Sequence, residues 1–438
     1  MLSPKKSNRY LIIILLFAAI LYSVISIVNH YCFRTYCYDL GLYSKIMYEY
    51  SHLKVFIMSN ICPFSENGWA HIPCLGDHFD LYLILFSPLI YIFGSYTLLI
   101  IQIIALIFGG LGMYKLISLY TEKQLYPLLA TLCFVLFFGV IHAVAFDYHS
   151  NVVVTSVLPW FLFCFKKEKY AWSSFLLFFM FIGKENMALF LLFVIIGLAW
   201  DYRKNHRALI YLSIYALCCV LYTYLVLSVI MPYLSEGEYS GFYRYARYGN
   251  SFWSMCIYLI GHPKETISIF FDHINKIEFY VCLLFFGGLV CLAKPNYLFM
   301  LIPLIAQKML SSETNFWGIE AQYNVEMSVI VITGSFIAIS KCKKQNIARL
   351  VAVTNCFLLI GTTFYSTYNP HCWKRKENIQ IFKSIHYQNN NIPIRYTHHI
   401  IKSIPKVASI TASTSLFPHL ALRENVFLLD AETTNCNT

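Results

Sequence analysis

Charge is what this chain has least of. Only 13% of its 438 residues are Asp, Glu, Lys or Arg, while 58% are hydrophobic and 18% aromatic. Such a composition excludes a disordered chain and lies well above that of an ordinary soluble domain. The 15 cysteines contain no CxxC pair and no zinc-like spacing. Most lie within apolar runs, where a thiol acts as a small hydrophobe. Cys62 and Cys74 share one outer loop and are the pair placed to bridge in an oxidising compartment. No internal repeat is visible. The formal net charge of +11 is split among small turns, which excludes a nucleic-acid-binding stripe. No small-residue cleavage site follows the first apolar run, "LIIILLFAAILYSVISIV" (11–28), which Lys5, Lys6 and Arg9 precede. That run reads as a retained first helix with a cytoplasmic N-terminus rather than a signal peptide.

What the chain does have is membrane-length apolar sequence. Runs at 11–28, 97–118, 125–146, 151–165, 170–183, 187–200, 208–231, 278–293, 296–309, 325–340 and 348–365 make eleven. A further run, "LYLILFSPLIYIF" (81–93), covers roughly 20 Å as a helix against a ~30 Å hydrocarbon core. Charge decides its role. If 81–93 does not cross, the cytoplasmic segments hold 16 Lys/Arg and three acids (Glu122, Glu168, Asp201), net +13. The remainder holds 17 basic and 19 acidic residues, net −2. Basic residues in short loops orient a membrane chain, and a crossing at 81–93 would invert every later loop. The expectation is an all-α polytopic membrane protein with about eleven transmembrane helices. To these it adds a re-entrant or interfacial helix at 81–93, weakened by Pro88. The N-terminus is expected in the cytoplasm and the C-terminus outside, with the lipid bilayer as the first partner.

This topology gathers the polar motifs on one side. "YDLGLY" (38–43), "GDHFD" (76–80), "FDYHS" (146–150), "GKEN" (183–186) and "RYARYG" (244–249) all fall at outer helix ends or on outer loops. Ionisable residues at such positions are costly unless they face water or one another. Each also has an ordinary reading. Asp39 is a suitable N-cap for a helix beginning at "LGLYSKIMYEYSHL". Asp77, His78 and Asp80 suit a wet loop, Asp147 and His149 a solvated helix end, and Lys184–Glu185 a local ion pair. Arg244 and Arg247 suit lipid headgroup contact.

In order and spacing from about residue 30 to 200, these motifs resemble those of an uncharacterised bacterial membrane family, domain of unknown function 2079. The stretches that carry the likeness are "YDLGLY", "HFD…LFSPLIYIFGSYTLLIIQ", "FDYHSNVVVTSVLPW" and "GKENMAL". Two positions depart from the pattern: Asp80 stands where a serine is expected after "HF", and Asn186 where an acid is expected after "KE". In broad architecture the family's members resemble the C-type (GT-C) glycosyltransferases. The resemblance implies an outer first loop (29–96) with amphipathic helices and an acidic residue. It also implies an active site at the outer surface of the cytoplasmic membrane. The reaction implied is transfer of a sugar from a polyprenyl-phosphate donor to an envelope acceptor.

Residue chemistry supplies candidate roles. A positioned carboxylate can take the acceptor's proton, and Asp39, Asp147 and Glu185 are the candidates. A cation neutralises the departing phosphate, which points to Lys184, Arg244 and Arg247. Tyr38 and Tyr43 are placed to flank a sugar ring, with His78, Asp80 and His149 as further substrate contacts, and Gly41 allows close backbone approach. Asp77, Asp80, Asp147 and His149 offer oxygen and imidazole ligands suited to Mg²⁺ or Mn²⁺. The tail, 366–438, is polar, and "VASITAS" and "VFLLD" read as strands of a small outer α/β element following the membrane domain 1–365. Two other functions stay open at this point. A transporter or flippase is expected to carry ionisable groups near the bilayer midplane; a non-catalytic scaffold would leave the acids replaceable.

Overall fold

Apolar runs in an apolar solvent must satisfy their own backbone, and a helix does so within one segment. The computed structural model describes residues 3–54, 74–235, 240–319, 322–368 and 376–429. Among these, strand is confined to Ile410–Ala412 and Val426–Leu428, and helix dominates the rest.

Five stretches are long and apolar enough to cross a membrane: Pro4–Tyr31, Tyr82–Ile117, Leu125–Phe146, His206–Leu234 and Gln345–Tyr368. The other six expected crossings are short or broken, so helix length does not yield the count of eleven. Ser150–Lys166, Tyr170–Phe181, Met187–Asp201 and Val325–Ser340 have 17, 12, 15 and 16 residues. At ~1.5 Å per residue each falls short of a ~30 Å core. The 278–293 run kinks at Gly287 (φ 108). The 296–309 run breaks where Pro295–Met300 gives way at Leu301 to Ile302–Met309, with Pro303 in the first turn. Segment 81–93 is a chain of short pieces, Tyr82–Phe86, Ser87–Leu89 and Ile90–Phe93. Gly94 (φ 57) turns it into Thr97–Ile117.

Burial separates central from peripheral helices. Phe134, Phe137, Phe138, Val140 and Ala143 of the 125–146 stretch are fully buried, as is most of Val325–Ser340. Pro4–Tyr31 and His206–Leu225 instead present Ile12, Leu16, Phe17, Ile20, Ile210, Leu217 and Leu221 outward. A contiguous apolar exterior of this kind suits lipid rather than water. Thr97–Ile117 packs along Ser150–Lys166, with Trp160 Nε1 donating to the Phe108 carbonyl at 2.8 Å and the two rings stacked.

The tail contains the two strands expected from "VASITAS" and "VFLLD". They pair in parallel, with Ile410 opposite Val426 and Ala412 opposite Leu428. Its core of Ala412, Phe417, Leu420, Ala421, Val426 and Leu428 also takes in Cys37 from the segment after the first helix. The tail is tied to the C-terminal end of the first helix. Arg34 donates to the carbonyls of Ile385 (2.9 Å), Gln388 (3.0 Å) and His386, and Asn29 Nδ2 donates to Asn378 O at 2.8 Å. Cys62 lies outside the described residues, and so does any pairing with Cys74.

Candidate functional site

Four breaks between helices come together, at 36–41, 78–81, 147–149 and 182–186. The first carries Asp39 at φ 77, ψ −96, a left-handed conformation uncommon for a residue with a Cβ. Such backbone persists only where its surroundings hold it. Here Gly41 N donates to Tyr36 O at 3.1 Å, and Cys37 N donates to Thr414 Oγ1 of the tail at 3.2 Å. A Cβ on Gly41 would lie 2.8 Å from Phe417 Cδ1, so the close approach that this glycine permits is to the tail. Helix Leu42–Ser51 begins without a side-chain cap, so the Asp39 carboxylate is not its N-cap. One carboxylate oxygen instead lies 3.7 Å from His149 Nε2.

His149 is positioned by a residue that sequence reasoning did not single out. Gln102, buried within "LLIIQII", donates through Nε2 to Asp147 O at 2.8 Å and accepts from His149 N at 2.9 Å. This bracket satisfies the backbone where helix Phe138–Phe146 ends and Ser150–Lys166 begins. His149 Nδ1 is buried and has no hydrogen-bond partner among the described residues.

Glu185 ties two other breaks. Its Oε1 is 3.2 Å from His78 Nδ1 and its Oε2 accepts from Phe79 N at 3.3 Å. Leu81 N donates to Ile182 O at 2.9 Å beside them. Gly183 is required here, since a Cβ would sit 2.7 Å from the Tyr82 ring. Asp80 caps the following turn, accepting from Tyr82 N at 3.0 Å. Asn186 donates to Gln307 Oε1 at 3.3 Å. Among the described residues the Lys184 side chain makes neither a hydrogen bond nor an ion pair, although it is half-buried beside these groups.

The electrostatics follow from this crowding. Burial pushes the Asp39 carboxyl up, but the His149 contact, with Lys184 and His78 behind it, outweighs burial and holds it below the usual range. Burial also opposes ionised Glu185, yet the His78 bond and charge and Lys184 bring it down to about 2. His78 is pushed down by burial and Lys184, and its Glu185 partner carries the net direction upward. Burial dominates at His149, which is lowered and hence neutral near pH 7. At Asp80 burial also wins, raising the carboxyl to about 7 despite the Ser150 and Tyr82 bonds.

These groups open onto a cavity of about 420 Å³. Asp39, Tyr43, His78, His149, Lys184, Glu185 and Arg244 line it, together with Asn151, Lys308, Gln322, Tyr323 and Glu326. The wall then turns apolar through Leu189, Phe190, Phe193, Leu227, Met255 and Leu259. From Met187 to Phe193 the lining descends about 9 Å along one helix, so a polar head and an apolar wall share one space.

Not every expected residue joins them. Tyr38 is exposed, Asp80 and Asp147 are buried, Asp77 ends the short helix Cys74–Asp77, and none of these lines the cavity. Arg244 lies over the Phe316 ring at 4.8 Å, with its Nε 3.4 Å from Glu313 Oε1. Arg247 is bonded to Glu265 at 2.7 Å and faces away from the cavity lining. Among the described residues no group of three His, Cys, Asp or Glu side chains could hold a metal ion. The metal candidates Asp77, Asp80, Asp147 and His149 thus do not come together as a group of three. Lys308, Gln322 and Glu326 were legible only as isolated polar residues in or beside apolar runs, a signal that does favour function.

No curated protein matches the chain. Residues 29–437 match the model of the family described as "Predicted membrane protein (DUF2079)", and over nearly its whole length the chain belongs to that family of membrane proteins.

Proposed function

We propose that the chain is a membrane glycosyltransferase of GT-C-like architecture, moving a sugar from a polyprenyl-phosphate carrier to an acceptor hydroxyl. The observation that carries this reading is the two-part cavity. Its head holds the Asp39 carboxylate and the Lys184 cation, and its wall of Phe190, Phe193, Leu227 and Leu259 suits an isoprenoid chain. An amphiphile with an anionic head fits such a space better than a small polar solute.

In the proposed reaction the acceptor oxygen attacks the anomeric carbon and its proton passes to the Asp39 carboxylate. The bond from that carbon to the phosphate oxygen breaks, and polyprenyl phosphate leaves with the electron pair. Lys184 and Arg244 neutralise the charge that develops on the phosphate. Glu185 acts as a positioning residue, since both of its oxygens are engaged by His78 and Phe79 N. No step is routed through a metal.

The membrane is taken to be the cytoplasmic membrane, crossed by about eleven helices. The asymmetry of basic residues supports an N-terminus inside and a tail, 366–438, outside as a separate small unit over the membrane domain. Carboxylates, imidazoles and Lys184 at helix ends favour the enzyme over a transporter. Purified protein in lipid nanodiscs, supplied with a panel of polyprenyl-phosphate sugars and envelope glycans, should release polyprenyl phosphate in step with sugar transfer. Release from none of the donors, with substrate binding intact, would refute the reading.

A further inference from the structure

The cavity that Lys184 lines also carries buried polar groups that the proposed reaction leaves unused. Asn151 Nδ2 donates to Glu326 Oε1 at 2.7 Å. That bond fixes the amide, because only the nitrogen can donate to a carboxylate. Asn151 Oδ1 therefore faces elsewhere, and among the described residues it has no hydrogen-bond partner. Gln322 bonds the Tyr323 hydroxyl through its side chain, and its Oε1 has no hydrogen-bond partner among the described residues. Asn151, Gln322 and Glu326 are 7%, 5% and 5% exposed, and all three line the cavity. Lys308 stands beside them, 2% exposed, spending one proton on Gly318 O at 2.9 Å.

Buried acceptors without donors are unfavourable in a finished core and are ordinarily satisfied. Two amides and a carboxylate that line one cavity make a wall rich in hydrogen-bond-accepting oxygens. A phosphate, which is an acceptor, gains nothing from those oxygens. An ammonium headgroup would suit them but meets Lys308 and Lys184 in the same cavity. A group that is uncharged and donates from several points satisfies both conditions, and a polyhydroxylated ring is such a group.

We infer that Asn151, Gln322 and Glu326 form a hydroxyl-recognition wall, which holds the ring hydroxyls of the transferred sugar and sets which sugar is accepted. The assignment rests on the transferase reading for the carrier phosphate. The chemistry of the wall follows from the two amides and the carboxylate that line it.

Binding to the full chain in nanodiscs tests it, with citronellyl phosphate and its phosphodiesters with a panel of hexoses as probes. Asn151→Ala and Gln322→Met should each weaken the best-bound hexose diester about threefold to tenfold, the range expected for a lost hydrogen bond. Both should leave citronellyl phosphate within about twofold, which also certifies the fold. Gln322 lies in the turn before Val325–Ser340, so it carries the test if Asn151→Ala does not fold. Equal losses for both kinds of ligand, or no loss for either, would overturn the wall assignment while leaving the carrier reading standing. Failure of the wild-type protein to bind any of these probes would overturn the carrier reading, and the wall with it.

Discussion

His149 Nε2 lies 3.7 Å from an Asp39 carboxylate oxygen, joining the "FDYHS" and "YDLGLY" breaks at the head of the cavity. Burial alone would raise the Asp39 carboxyl; the His149 contact is the largest influence opposing it. A base must be ionised to take a proton, so a lowered carboxyl keeps it competent to lower pH. Replacing His149 by Leu removes that opposition. The acid limb of the kcat/KM–pH profile should move to higher pH in the variant, and an unmoved limb would detach His149 from Asp39.

Asp80 carries the opposite shift. Unfolded, its carboxyl ionises near pH 4; folded, burial holds it at about 7. Between those values the unfolded chain releases the proton first, so this group's contribution to stability falls as pH rises and levels off above about 7. Asp80→Asn keeps an oxygen for Tyr82 N and removes the ionisation. The variant should gain a few degrees in melting temperature relative to wild type at pH 8, and little at pH 4.

The cations divide by whether they line the cavity. Lys184 and Arg244 line the cavity, whereas Arg247 is engaged by Glu265 outside it. Lys184→Gln and Arg244→Gln should each weaken citronellyl phosphate by about tenfold or more, the scale of a charge-assisted hydrogen bond. Arg247→Gln should leave binding nearly unchanged, because exposed pairs contribute little. Calorimetric titration of the three variants checks the order.

Gly41 and Phe417 make a size-coupled contact. Gly41→Ala places a Cβ 2.8 Å from Phe417 Cδ1, and overpacking of this kind costs about 1–3 kcal/mol. The tail should become more sensitive to limited proteolysis. Adding Phe417→Leu to Gly41→Ala should restore part of the resistance, a non-additive result expected of residues in contact.

Much of this fold could be read from the sequence because its signals are local. Apolar runs predict helices, and β-branched "VASITAS" and "VFLLD" predict the strands that pair in the tail. The charge asymmetry predicts that Asp39, His78, His149 and Lys184 share one face, and they line one cavity. What composition could not tell apart was decided by partners distant in the chain. Arg244 and Arg247 look alike in "RYARYG", but Arg244 lines the cavity with Glu313 beside it, whereas Arg247 pairs with Glu265 and does not. Gly41 reads as room for a ligand, but Phe417 fills that approach. Gln102 is one polar letter in "LLIIQII", and its bracketing of Asp147 and His149 appears only when two helices are side by side. The eleven apolar runs did not become eleven long helices, because Gly287 and the Leu301–Pro303 break interrupt two of them and four others are short.

The central claim is that Asp39 takes the acceptor's proton, and its most direct test is single-turnover sugar transfer by Asp39→Asn. The amide retains the shape of the side chain but cannot accept the proton. With donor binding within about twofold of wild type, the transfer rate should fall about 10²–10⁴-fold. A variant that binds donor and transfers sugar at near the wild-type rate would contradict the assignment.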